Sequence, residues 1–255
     1  MRRPDELRES VEAYLDRLEL SPELGGLEEA VRYALEGGGK RIRPVLCLAT
    51  AEAAGGDPEH ALPVAAALEL VHSFSLVHDD LPAMDDDAER RGRPTAHVRF
   101  GEASALLAGD ALLVEAFKLA VAAGPEAAQE LARATLGMIG GQYLDTDGGA
   151  SDRAELNRLK TGRLFEAAVG CGLWAAGVPP TEHDPWRAFG ADYGFLYQLV
   201  DDLVDEDGLA EELGPDRTRT LASQTEESAR ARLLELPADT SVLAELVDEL
   251  SARIP

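Results

Sequence analysis

The sequence predicts an all-α protein of one domain, and three observations carry that expectation. Ala, Leu and Glu dominate the 255 residues while aromatic residues make up only 5%, a composition that favours helix over sheet. Runs of β-branched residues bounded by turn signals are scarce, so strands have little to build from. Apolar positions recur at three- and four-residue spacing almost throughout, broken by short glycine and proline punctuation and by no long linker. A hydrophobic content of 45% is ample for a full core in a chain of this length.

In chain order, this spacing predicts helices over 4–19, 25–36, 42–54 and 58–80. The breaks between them are "SPELGG" at 21–26, "EGGG" at 36–39 and "GGDP" at 55–58, and Pro82 disfavours helix at Leu81. Further helices are expected over 94–123, 126–146, 151–176 and 183–206, separated by Gly124-Pro125, by Gly148-Gly149 and by "GVPP" at 177–180. Two more are expected between 224 and 253. The stretches "EGGGKRIRP" at 36–44 and "DEDGLAEELGPDRTRTLASQ" at 205–224 read as loops.

Charge excludes several functions. A formal net charge of −24 argues against nucleic acid, which needs a positive surface to displace counterions, and against an anionic membrane surface. Cys47 and Cys171 are the only cysteines, too few for a disulfide framework in a chain this long, so a reducing cytoplasm is the expected location. Arg2 and Arg3 are followed by "PDEL" and no apolar stretch, so no signal peptide is expected, and no apolar run is read as reaching membrane-spanning length.

The acidic residues are not evenly spread. "LVHDDLPAMDDDAERRGRPT" at 76–95 closes one long helical segment with Asp79, Asp80 and Asp85, and "QLVDDLVD" at 198–205 closes another with Asp201, Asp202 and Asp205. Aspartates at a helix C-terminus face the negative end of the macrodipole, and Asp201 and Asp205 repel each other at i,i+4. Neither cluster helps its own helix. A hard cation such as Mg²⁺ reverses that sign, since it takes carboxylate oxygens and completes its shell with water and phosphate oxygens. Gln198, Asp201, Asp202 and Asp205 share a helix face, and a turn at Pro82 would bring Asp85 back beside Asp79 and Asp80. Two such clusters facing one cavity would hold a metal-complexed diphosphate.

Cations stand close by. Only three lysines occur, Lys40, Lys118 and Lys160. Lys40, with Arg41 and Arg43, follows three glycines just before a helix, a suitable phosphate cradle. Lys160 sits in "RLKTGRL" within an apolar helix, while Lys118 reads as an ordinary surface position. His72 lies two turns before Asp79 on the same helix; taken singly it reads as a core histidine. Arg90 and Arg91 follow the first aspartates, where charge balance against Asp85, Asp86 and Asp87 is the simplest account.

Taken together, "GGGKRIRP", "ALELVHSFSLVHDDLPAMDDDAERRGRPT", "AGDALL", "GMIGGQYLD", "LKTGRLFEAAVGCG" and "FLYQLVDDLVD" resemble the trans-isoprenyl diphosphate synthases. The stretches run in family order from 37 to 205, about two thirds of the chain, and the spacing from Asp79 to Asp85 resembles the bacterial short-chain farnesyl diphosphate synthases. The resemblance implies a helical bundle around a deep central apolar cavity. It also implies that Asp79, Asp80, Asp85, Asp201, Asp202 and Asp205 bind three Mg²⁺ with the allylic diphosphate. Isopentenyl diphosphate would be held by Lys40, Arg43, His72 and Arg91, and the allylic diphosphate by Arg90, Lys160, Thr161 and Gln198. The implied reaction ionises an allylic diphosphate, adds the double bond of isopentenyl diphosphate to the cation and eliminates a proton. It needs no protein nucleophile, only charge stabilisation and alignment.

Phe74 and Ser75 lie one turn below Asp79, where the resemblance makes an aromatic ring the floor of the cavity and farnesyl diphosphate the expected product, ahead of geranyl and geranylgeranyl diphosphate. The chain departs from the family after the second cluster. The loop there is short and ends in no lysine, so Arg217 or Arg219 is the nearest equivalent for the allylic diphosphate, and the role of Arg253 is open. A terpene cyclase would not need Lys40, Arg43 and His72; a non-catalytic subunit would not need both clusters intact. The resemblance also implies a homodimer.

Overall fold

The computed structural model describes residues 1–146 and 158–255. Among them are twelve α-helices: α1 (Pro4–Asp16), α2 (Glu28–Leu35), α3 (Ile42–Ala53), α4 (Pro58–Asp79), α5 (Ala96–Phe100), α6 (Glu102–Ala123), α7 (Pro125–Thr146), α8 (Arg163–Ala175), α9 (His183–Asp205), α10 (Gly208–Leu213), α11 (Pro215–Glu235) and α12 (Ser241–Ser251). The only sheet among the described residues is an antiparallel hairpin, β1 (Glu89–Arg90) with β2 (Arg93–Pro94). The all-α expectation holds.

Helix α4 is the axis of the molecule, packed against α3, α6 and α8. Its composition explains the position: apolar residues lie on every side, with Leu68, Leu70, Val71 and Ala65 to Ala67 all buried, so it has no face to offer solvent. Asp57 starts it by accepting the backbone N–H of Glu59 at 3.0 Å. The sequence reading missed one property of this helix. At 22 residues it is long and apolar enough to cross a membrane, yet it is largely buried within the protein, as the central helix of a core is. Helix α3 meets α8 at Gly172, where a Cβ would stand 2.5 Å from the Cys47 carbonyl oxygen; only glycine permits that crossing.

One buried charge shapes the entry to the site. Arg41, expected in the phosphate cradle, turns inward instead, pairing with Glu12 and Glu69 at 2.7 Å each and donating to the Leu35 carbonyl at 2.6 Å. Hydrogen bonds and ion pairs to both glutamates outweigh the cost of burial and raise its pKa. It fastens α1, the end of α2 and α4 to the start of α3.

The observed elements depart from the expected ones where tertiary contacts decide. The helix expected over 94–123 breaks at Gly101 (φ 85°) into α5 and α6, and the hairpin precedes it. Residues 22–27 form a 3₁₀ segment ahead of α2. The 151–176 helix begins, in the described part, with a π-helical turn over Arg158–Gly162; residues 151–157 lie outside the described residues. The loop expected over 205–224 is largely helical, holding α10 and the first turns of α11. Asp202 accepts the Leu209 N–H at 2.9 Å and Thr218 donates to the Leu209 carbonyl at 3.0 Å, satisfying polar groups that a short helix otherwise leaves open.

Candidate active site

A cavity of about 570 Å³ lies beside α4, between α7 and the π-helical turn. Its polar lining includes Arg43, His72, Asp79, Gln142, Lys160 and Thr161; its apolar lining includes Phe74, Leu81, Met138, Ile139 and Leu164. Helix α4 supplies the sequence from His72 through Phe74 and Ser75 to Asp79, so one helix carries the cation-facing, apolar and acidic parts of the wall. Phe74 is 7% exposed and meets His78 edge-on with ring centroids 4.9 Å apart.

The first aspartate cluster folds back as Pro82 predicts: the Asp85 N–H donates to the Asp79 carbonyl at 2.8 Å. Burial raises the Asp79 pKa to about 6; Lys160 and Arg90 oppose the shift, and Asp85 and Asp80 add to it. Asp80 is buried and turned to Arg90, 2.7 Å away, while Asp85 is exposed. In the second cluster Asp201 pairs with Arg253 at 2.8 Å and Asp205 is exposed. Asp202 is buried, accepting Gln198 Nε2 at 2.6 Å and the Leu209 N–H at 2.9 Å.

Of the six expected metal ligands, only Asp79 lines the cavity. Among the described residues no three His, Cys, Asp or Glu side chains converge on one point. Three of the six are held by local pairing, Asp80 by Arg90, Asp201 by Arg253, and Asp202 by Gln198 with the Leu209 amide, while Asp85 and Asp205 are exposed. The donor chemistry still suits a hard cation. Asp79, Asp80 and Asp85 offer oxygen ligands folded together by one backbone hydrogen bond, and the Asp79 carboxylate is held among like charges that a cation would offset.

Seven of the nine expected diphosphate-binding groups divide among three places. Arg43, His72, Lys160 and Thr161 line the main cavity. Arg43 lies 4.5 Å over the Phe165 ring and 5.8 Å from that of Tyr197, and its Nε is buried without a partner in the protein. His72 is held well below its ordinary pKa, by burial first and then by Arg43 and Arg91, so its imidazole is neutral. Lys160 pairs with Asp145 at 2.6 Å.

Lys40 lines a separate cleft with Arg8, Glu249 and Arg253, and burial followed by Arg253 lowers its pKa. Arg90 and Arg91 stand in a third, small recess beside the hairpin, where Arg91 donates to the Gly38 carbonyl. Gly39 permits that approach, since a Cβ there would stand 2.7 Å from Arg91 Nη1. Arg219 is not in the cavity lining: it donates to Asp216 at 3.0 Å and to the Pro255 carbonyl at 3.3 Å. Gln198, expected at the allylic diphosphate, serves Asp202 instead.

Two features escaped the sequence reading, and a third, Arg253, had its role left open there. Gln142 lines the cavity with its Oε1 buried and unpartnered, and its signal was its place in "GMIGGQYLD". His78 lines the cavity and meets the Leu106 carbonyl at 3.0 Å through Nε2, against Gly109 of "AGDALL", where any Cβ would overlap the imidazole. Arg253 is 5.7 Å from the Tyr197 ring and has its Nη1 buried and unpartnered. No local pattern marks a residue that the fold brings back from the far end of the chain.

The polyprenyl synthetase family profile matches residues 25–223. A geranylgeranyl diphosphate synthase of Cyanophora paradoxa is 41% identical over 212 residues, covering 77% of this chain and 71% of that protein. A farnesyl diphosphate synthase of Geobacillus stearothermophilus is 40% identical over 227 residues, covering 79% of this chain and 72% of its own. Among solved structures, an FPP/GFPP synthase from Zymomonas mobilis superposes with a TM-score of 0.86 at 32% identity, covering 97% of each chain. A geranyltranstransferase from Thermotoga maritima gives 0.88 at 29% identity, covering 98% of each. On the family match over residues 25–223, these identities and the shared helical fold, the chain belongs to the polyprenyl synthetase family of prenyltransferases.

Proposed function

We propose that this prenyltransferase condenses isopentenyl diphosphate with dimethylallyl and geranyl diphosphates and stops at farnesyl diphosphate, as a cytosolic homodimer that uses Mg²⁺. The observation that carries the reading is one cavity in which Asp79, Lys160, Arg43 and His72 share walls with an apolar lining that includes the buried ring of Phe74. Relatives named for farnesyl and for geranylgeranyl diphosphate match at nearly equal identity, 40% and 41%, so product length rests on Phe74.

Each residue has a task that follows from its surroundings. Lys160 and Thr161 are cavity-wall groups suited to an allylic diphosphate, a cation and a hydroxyl donor beside Asp79. Arg43, fixed on two aromatic rings with a free Nε–H, offers a pre-oriented guanidinium to the second diphosphate, and neutral His72 adds a donor without adding charge. Mg²⁺, held by Asp79, Asp80 and Asp85 and by Asp201, Asp202 and Asp205, would supply Lewis-acid stabilisation of the departing diphosphate. Asp80 and Asp201 would exchange Arg90 and Arg253 for the metal, and Asp202 would give up its hold on Gln198. The apolar walls keep water from the allylic cation.

The homodimer reading is supported by an apolar stripe on α6, where Leu107, Val114 and Val121 are 52%, 67% and 65% exposed, and by exposed Leu136 on α7, the helix packed beside it. The stripe is self-complementary. A twofold axis at Val114 would set Leu107 opposite Val121 and Asp110 opposite Lys118 of a second copy, since each pair is equally spaced about 114.

The test is a product assay with purified protein, isopentenyl diphosphate and Mg²⁺, offering dimethylallyl, geranyl and farnesyl diphosphates in turn. Elongation ending at C15 supports the reading and ending at C20 reassigns the product. Pyrophosphate release without elongation would point to a cyclase.

A further inference from the structure

The hairpin arginines go to three different partners. Arg90 binds Asp80 of the first aspartate cluster, Arg91 donates to the Gly38 carbonyl, and Arg93 donates to the Glu36 carbonyl at 2.8 Å. Arg93 is itself held, with its guanidinium 4.3 Å over the Tyr33 ring, and the Tyr33 hydroxyl donates to the carbonyl of the next residue, Pro94, at 2.6 Å. Arg99 adds a second cation 4.4 Å from the same ring, and Phe100 packs on it edge-on at 5.3 Å. Tyr33 is buried, so this is a fixed post rather than a mobile surface contact.

What the post holds is the loop that most needs holding. Glu36 ends α2, where carbonyls lack helical partners and a cation is favoured. Three glycines follow, with φ of 68° at Gly38 and 141° at Gly39, and the chain then reaches Lys40 and Arg43. A triple-glycine segment has more backbone freedom than any other of its length and cannot place Lys40 unaided. Arg91 also contacts this loop, but a diphosphate would draw Arg91 away from the Gly38 carbonyl. Arg93 points to a backbone carbonyl at the helix end and need not move.

We propose that Arg93, seated on Tyr33, is a positioning residue: it clasps the glycine-rich loop at Glu36 and so pre-sets Lys40 and releases Arg91 for the diphosphate of isopentenyl diphosphate. The clasp rests on the reading of function given above, and it ties the first aspartate cluster to the loop through one rigid hairpin.

The experiment compares wild type, Arg93→Ala and Arg93→Lys by steady-state kinetics and, without ligand, by amide hydrogen exchange. Arg93→Ala is expected to raise KM for isopentenyl diphosphate about tenfold, with kcat and the allylic KM within about twofold, the pattern of lost uniform binding. Arg93→Lys, which keeps one donor and a cation over Tyr33, should recover most of the loss. Amides of Gly37 to Lys40 should exchange faster in Arg93→Ala. Equal shifts in both KM values, or no shift, would overturn the clasp. Hydrogen exchange keeps this separate from the assignment of function: if wild type fails to elongate, faster loop exchange in Arg93→Ala still supports the clasp, and unchanged exchange overturns it.

Discussion

Arg43 and His72 share the lining of one cavity, and the first helps to set the state of the second. The guanidinium, stacked on Phe165 and near Tyr197, helps burial keep His72 neutral. The sign of the consequence is fixed: an unfolded histidine takes up a proton near pH 6.5 and the folded one does not, so stability is full above that pH and is lost as pH falls toward the lower folded value. His72→Gln should remove from the acid side a slope of up to about 1.4 kcal/mol per pH unit, read as urea midpoints against pH. An unchanged slope would assign it to other groups. Phe74 belongs to the same scale. Its ring is buried and braced by His78, so Phe74→Ala should open the cavity and lengthen the product beyond C15. Continued C15 output from that variant would remove Phe74 as the floor.

At the level of elements, the contact between α4 and α6 holds one residue of the cavity wall, His78. His78 of α4 reaches the Leu106 carbonyl only because position 109 of α6 carries no side chain. Gly109→Ala should therefore force His78 off that carbonyl and cost about 1–3 kcal/mol, measurable by chemical denaturation. Wild-type stability in this variant would mean that the helices part freely. The long helices were legible because their apolar period is local to the chain. The hairpin and α10 were not, because Arg90, Arg91 and Arg93 find their partners at Asp80, Gly38 and Glu36, and α10 depends on a carboxylate from α9.

For the whole molecule, charge and exposed apolar surface have to be reconciled. A chain of net charge −24 repels copies of itself over most approaches, and the apolar α6 stripe proposed as the dimer face carries Asp110 and, paired with Glu115, Lys118 on either side of Val114. Val114→Glu sets two carboxylates face to face on the twofold axis and should convert a dimer to monomer in sedimentation velocity. A variant that sediments as wild type would place the interface elsewhere. The same scale explains how so acidic a protein handles diphosphates. Some of its cations stand where an anion could use them, with Arg43 and Lys160 in the cavity and Lys40, Arg8 and Arg253 in the separate cleft.

By itself, the sequence determined the helical class, the long helix that opens at residue 58, the turn that returns Asp85 to Asp79, and the two aspartate clusters with their nearby cations. All of these follow from residue type and short-range spacing, which act before the chain folds. The tertiary structure decided which polar groups face the cavity. Arg41 looked like a phosphate ligand and became a buried anchor for Glu12 and Glu69; Asp202, expected at a metal, accepts the Leu209 amide of α10; Arg253 came from the far end of the chain to Asp201. A buried charge takes the partner that is nearest in space, and nearness in space between residues 52 positions apart is a property only of the folded chain.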